Sequence, residues 1–112
     1  MQPDETQAWG GEEARRSPRI VRRVRLRIES GNGIACEATT AVINGHGALV
    51  LSPEAFAGES RVRITNLERG LFQPFRVVWC GEPVGSLHEL GLEMLTASVG
   101  FWGPAYRPET RP

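Results

Sequence analysis

From Arg23 to Ile28 the chain alternates without a break: Val24, Leu26 and Ile28 are apolar, while Arg23, Arg25 and Arg27 are charged. A period of two residues sends one set to each face of a pleated strand, so this stretch predicts a half-buried β-strand with its arginines in solvent. Ser30-Gly31-Asn32-Gly33 follows, and Asn-Gly accepts the positive φ angles of a tight hairpin turn. A returning strand, rich in Thr, Val and Ile, is therefore expected over Cys36 to Ile43.

The same punctuation continues. Asn44-Gly45-His46-Gly47 interrupts with two glycines where a sharp turn or bulge needs them. Ala48 to Leu51 reads as a short buried strand ended by Ser52-Pro53, and Pro53 to Glu59 as a connection. Arg61 to Thr65 alternates again, Asn66 to Gly70 reads as a turn, Phe75 to Cys80 is the most apolar strand, Gly81 to Ser86 a loop, and Leu90 to Met94 the last strand. No stretch sustains apolar residues at i, i+3, i+4 and i+7, so no helix longer than a turn or two is expected. Six short antiparallel strands suit an all-β fold, a small six-stranded antiparallel β-barrel that removes sheet edges by closing on itself.

With 112 residues, 40% hydrophobic and 23% charged, the chain is sized and composed for one globular domain. Residues 1–14 are polar and acidic without periodicity and are expected to be a disordered tail; residues 15–106 form the barrel domain with its flexible N-terminal arm, and residues 107–112 a flexible C-terminus. Phe101-Trp102-Gly103-Pro104-Ala105-Tyr106 is too broken by Gly and Pro for a long helix and is expected to pack as a short plug on one end of the barrel; a partner-binding patch is the alternative. No apolar run is long enough to cross a bilayer and the N-terminus lacks a signal-peptide pattern, so a cytoplasmic location without membrane contact is expected.

Chemistry-bearing residues are sparse. Cys36, Cys80, His46 and His88 are scattered singly, with none of the close pairings that build a metal site; no metal is expected, and the cysteines read as buried thiols. There is no nucleophile, base and acid set, no paired carboxylates in a perturbing context, and no phosphate-cradling loop before a helix, so the chain is not expected to be an enzyme. His46, without an orienting partner in sequence, reads as a loop residue or ligand contact.

Charge is where the sequence speaks. Residues 1–14 hold Asp4, Glu5, Glu12 and Glu13 and no base, whereas residues 15–27 hold Arg15, Arg16, Arg19, Arg22, Arg23, Arg25 and Arg27 and no acid. Every basic side chain is arginine, whose planar fork suits phosphate oxygens and stacks on flat rings. An anionic or aromatic partner near the N-terminal arm is implied.

The order of these elements resembles the PilZ domain family. Arg15-Arg16-Ser17-Pro18-Arg19, just before the first strand, is similar to that family's Arg-x-x-x-Arg element, with Arg15 and Arg19 in the motif positions. The run Thr40-Ala41-Val42-Ile43-Asn44-Gly45-His46-Gly47-Ala48-Leu49-Val50 resembles the second element, a strand ending in Asp/Asn-x-Ser-x-x-Gly; with its glycine on Gly47, Val42 stands where the family has Asp or Asn, and Asn44 where it has Ser. Phe75-Arg76-Val77-Val78-Trp79-Cys80-Gly81 and Leu90-Gly91-Leu92-Glu93-Met94 resemble the last two strands, and Phe101-Trp102-Gly103 the tail of some members.

The resemblance implies a barrel whose arginine arm closes over cyclic di-GMP, with no other cofactor. Arg15, Arg16 and Arg19 would form the clamp, and Asn44, His46 and Gly47 the platform. Guanidinium planes stack on guanine and reach its O6 and N7 acceptors, and the same forks neutralise phosphate. The alternative is a degenerate PilZ-like domain that has lost the nucleotide and acts through contact with an unknown protein. General nucleic-acid binding ranks below both, because the arm carries no interleaved aromatics to stack bases.

Overall fold

The computed structural model describes residues 19–96, 98 and 100–103. Expectations for Arg15, Arg16, the acidic tail, Pro104 to Tyr106 and the last six residues lie outside the described residues.

The described chain is all β. Seven strands run in order: β1 Ile20–Val21, β2 Arg25–Ser30, β3 Ala35–Asn44, β4 Gly47–Ser52, β5 Arg61–Asn66, β6 Leu71–Cys80 and β7 His88–Met94. Their spatial order is β1-β3-β2-β5-β6-β7-β4, and β3 also pairs with β4, so β2 to β7 close into a six-stranded antiparallel barrel. The expected fold is the one observed, with β1 added.

Alternation decides the inside. Val24, Leu26 and Ile28 are fully buried, as are Ile64, Val77, Leu90 and Leu92 from the facing strands. Each such side chain contributes about 1.5–3 kcal/mol relative to exposure, and together they form one core. Arg25 and Arg27 point out, as the period of two requires. Gly33, at φ 97°, supplies the left-handed residue that lets β2 turn into β3.

Two features differ from the sequence expectation. Strand β1 has only two residues between arginines, too few for periodicity to show; it exists because β3 runs on past the start of β2 and leaves an edge for Ile20 and Val21 to pair with. Strand β6 starts at Leu71 rather than Phe75, running through Pro74. Proline is tolerated there because it needs only its carbonyl, which accepts from the Leu95 N–H at 3.2 Å one residue beyond the end of β7.

Aromatic residues close one end of the barrel. Phe101 and Trp102 are each 1% exposed and meet Phe75 and one another with ring centroids 4.9–6.5 Å apart. Two buried asparagines tie them down: Asn66 Nδ2 donates to the Phe101 carbonyl at 2.9 Å, and the Trp102 indole N–H donates to the Asn44 carbonyl at 2.9 Å. The plug role expected of the tail is met by these two residues. Cys36 and Cys80 are free and only partly buried, packed against the margin of the core. No helix among the described residues is long and apolar enough to cross a membrane.

Candidate functional site

Strand β1 pairs Ile20 and Val21, which follow Arg19, with β3 on the barrel wall. Ile20 faces Ile43 and Val21 faces Val42, and continuing that antiparallel register by one residue sets Arg19 opposite Asn44. The arm is fastened at its other end by Thr40, fully buried, whose Oγ1 accepts from the Val24 N–H at 2.8 Å and donates to the Arg22 carbonyl at 2.5 Å. A buried hydroxyl with both its donor and acceptor used holds the chain where β1 gives way to β2.

From Arg19 a polar row crosses the outer wall. Asn44 faces Gly47, Gly47 faces Glu93, and Glu93 faces Arg76. Arg76 Nη2 meets Glu93 at 2.6 Å and Nη1 meets Glu59 at 2.7 Å. Hydrogen bonds that the guanidinium donates to Glu93 first and Glu59 second hold it above its ordinary value, against a smaller opposing effect of burial. Glu93 is thus engaged with Arg76.

An apolar row runs parallel to it, two residues along the strands. Val21 faces Val42, Val42 faces Leu49, Leu49 faces Gly91, and Gly91 faces Trp79. Bulges between Thr40 and Val42 and between Val77 and Trp79 shift the pleat so that both rows stay on the outside. Val21 is 84% exposed, while Val42, Leu49 and Trp79 are half-buried.

Asn44, His46 and Gly47 lie together where β3 turns into β4. Asn44 is fully buried, and its Oδ1 accepts from the His46 N–H at 2.8 Å and the Gly47 N–H at 2.9 Å, closing the two-residue turn between β3 and β4. A Cβ on Gly47 would lie 2.0 Å from the Leu92 carbonyl oxygen, so the packing of β4 on β7 requires glycine here. His46 sits at the turn, half-buried, with its carbonyl accepting from Met94 N–H at 2.8 Å. Arg19 is exposed beside that turn.

Sequence reasoning passed over Thr40, Asn66 and Trp79. Trp79 faces Gly91 between β6 and β7, a pairing that shows only once the two strands are in register. A shallow depression of about 470 Å³, lined in part by Glu29, Arg61, Arg63 and Pro74, lies toward the opposite end of the barrel from Arg19 and the Asn44 turn. Among the described residues no group of three or more His, Cys, Asp or Glu side chains is placed to hold a metal ion.

The geometry defines a closed six-stranded β-barrel with the short strand β1 paired to β3 on its wall, beside a polar and an apolar row. No known protein family's sequence model matches the chain, and no curated protein matches it in sequence.

Proposed function

We propose that this chain is a PilZ-like cyclic di-GMP-binding signalling or adaptor domain that acts by binding rather than by catalysis. The observation that supports the reading is the register of β1, with Ile20 opposite Ile43, which continued by one residue would set Arg19 opposite Asn44 at the turn that follows β3. Arg15 and Arg16 precede Arg19 by four and three residues, close enough for all three to converge on one dianionic ligand. Seven arginines in thirteen positions repel one another, and a bound phosphodiester relieves that repulsion. Binding would fasten Arg15 and Arg16 beside Arg19 and so create a surface for a partner protein.

Calorimetric titration of the full chain with cyclic di-GMP at two salt concentrations, beside an Arg15→Ala, Arg19→Ala double variant, tests the reading. Saturable binding that weakens with salt and disappears in the double variant supports it. Absence of binding at high protein concentration removes it.

A second reading has its own observation. Asn44 uses its Oδ1 within the turn and Val42 offers no hydrogen bond, which favours a degenerate domain that works through protein contact alone. The same titration separates the two.

A further inference from the structure

Between β6 and β7 the chain doubles back through a tight hairpin. Val84 and Leu87 exchange both main-chain hydrogen bonds, at 2.7 and 3.2 Å, around Gly85 at φ 66°. Directly opposed, their side chains share one face, and Val84 is 74% and Leu87 37% exposed. Glu82 and Glu89, exposed on either side of them, belong to no ion pair among the described residues. The depression near the start of β5 has the complementary chemistry. Its lining includes Val62 and Pro74, and Arg61 and Arg63 outnumber Glu29, which is already engaged by Arg27 at 3.6 Å and Arg63 at 3.2 Å. Arg61 has no ion pair among the described residues and faces a second guanidinium, that of Arg76, across the strands. Like charges placed opposite one another repel, so a carboxylate arriving from outside is favoured there.

We propose that this chain pairs with a second copy of itself, the hairpin tip of each seated in the depression of the other. Tip and depression lie on the same side of the barrel, because β6 runs from Pro74 in the depression to Cys80 at the foot of the hairpin, about 20 Å away. A two-fold axis midway between them lets each copy give a tip and receive one, as a closed dimer demands. Val84 and Leu87 then leave water against Pro74, and Glu82 meets Arg61. The hairpin has its shape before docking, so little ordering entropy opposes association. The chain's net charge is zero, so no overall repulsion holds two copies apart. Arg19 and the Asn44 turn lie toward the other end of the barrel, and the pairing goes beyond the nucleotide reading without resting on it.

Sedimentation equilibrium of the full chain, from about 1 μM to about 1 mM and without nucleotide, reads the association. A reversible dimer is expected, weakened about tenfold or more by Val84→Asp, which puts a charge into the contact and, at an exposed site, leaves the fold intact. Arg61→Glu alone and Glu82→Arg alone should each weaken the dimer severalfold. Together they restore an opposite pair and should return the dissociation constant to within about threefold of the parent's. Thermal melts matching the parent's confirm that each variant is folded. A chain that stays monomeric at the highest concentration overturns the proposal, as does a dimer indifferent to Val84→Asp or a double variant no tighter than the single ones. Growth past the dimer into longer oligomers overturns the reciprocal arrangement, since each depression would then hold the tip of the next copy in an open chain.

Discussion

The Trp102 indole N–H donates to the carbonyl oxygen of Asn44 across 58 positions of sequence, at 2.9 Å. Both residues are buried, so one hydrogen bond joins the aromatic plug to the turn beside which Arg19 lies. The plug therefore supports the candidate site as well as the core.

Replacing Trp102 by Ala removes a side chain that is 1% exposed and leaves the Asn44 carbonyl unpaired; a loss of about 3–5 kcal/mol is expected. Trp102→Phe keeps most of the packing and should cost about 1 kcal/mol more than any cavity it opens. Urea unfolding of the two variants checks the order. Equal losses would mean that the indole N–H, absent from both variants, carries the whole effect and the ring packing none of it.

Gly47→Ala places a methyl group 2.0 Å from the Leu92 carbonyl, a main-chain atom that cannot swing away. The β4 and β7 strands must separate, at a cost of about 3 kcal/mol. Gly31→Ala, where an added Cβ has open space, is the control and should shift the midpoint little. Thermal melts of the pair read the difference directly.

Thr40→Val keeps the shape of a buried side chain and removes both hydrogen bonds that fasten Arg22 and Val24. A loss of about 1–3 kcal/mol is expected from the unpaired Val24 N–H. If the arm presents Arg19 to an anion, the same variant should weaken cyclic di-GMP binding severalfold while leaving every proposed contact residue in place. Unchanged affinity in a folded Thr40→Val protein would show that arm anchoring does not matter for binding.

Arg76 gives a pH prediction with a definite sign. Its folded value is raised by Glu93 and Glu59, so its stabilising contribution is fully present below arginine's ordinary value and is lost only as pH rises past it. Between pH 6 and 10 the Arg76→Met variant should therefore differ from the parent by a constant amount, about 1 kcal/mol or less for so accessible a network, and by less still in high salt. A difference that vanishes across this range would assign the effect to another group.

Much of the barrel was legible because burial on one face imposes a period of two, and Val24, Leu26 and Ile28 show it against three arginines. Asn-Gly and the glycine-rich breaks marked the turns for the equally local reason that few residues accept their backbone angles. The start of β6 was hidden, since Leu71 to Pro74 reads as non-strand until β5 is beside it, and β1 was hidden by its length. At the site, the residue types were visible and their work was not: Asn44 and Gly47 matched a ligand motif, but one closes a turn and the other makes room for Leu92.

By itself the sequence determined the properties that neighbours along the chain dictate: strand faces, turn positions, and the concentration of arginine between residues 15 and 27. Tertiary structure decided the rest, because a barrel closes through pairings between segments far apart. Only the tertiary pairings set Ile20 opposite Ile43, lay Trp79 over Gly91, and bring Val42 opposite Leu49. Cross-strand register depends on which strands meet, and no local pattern in this chain records that.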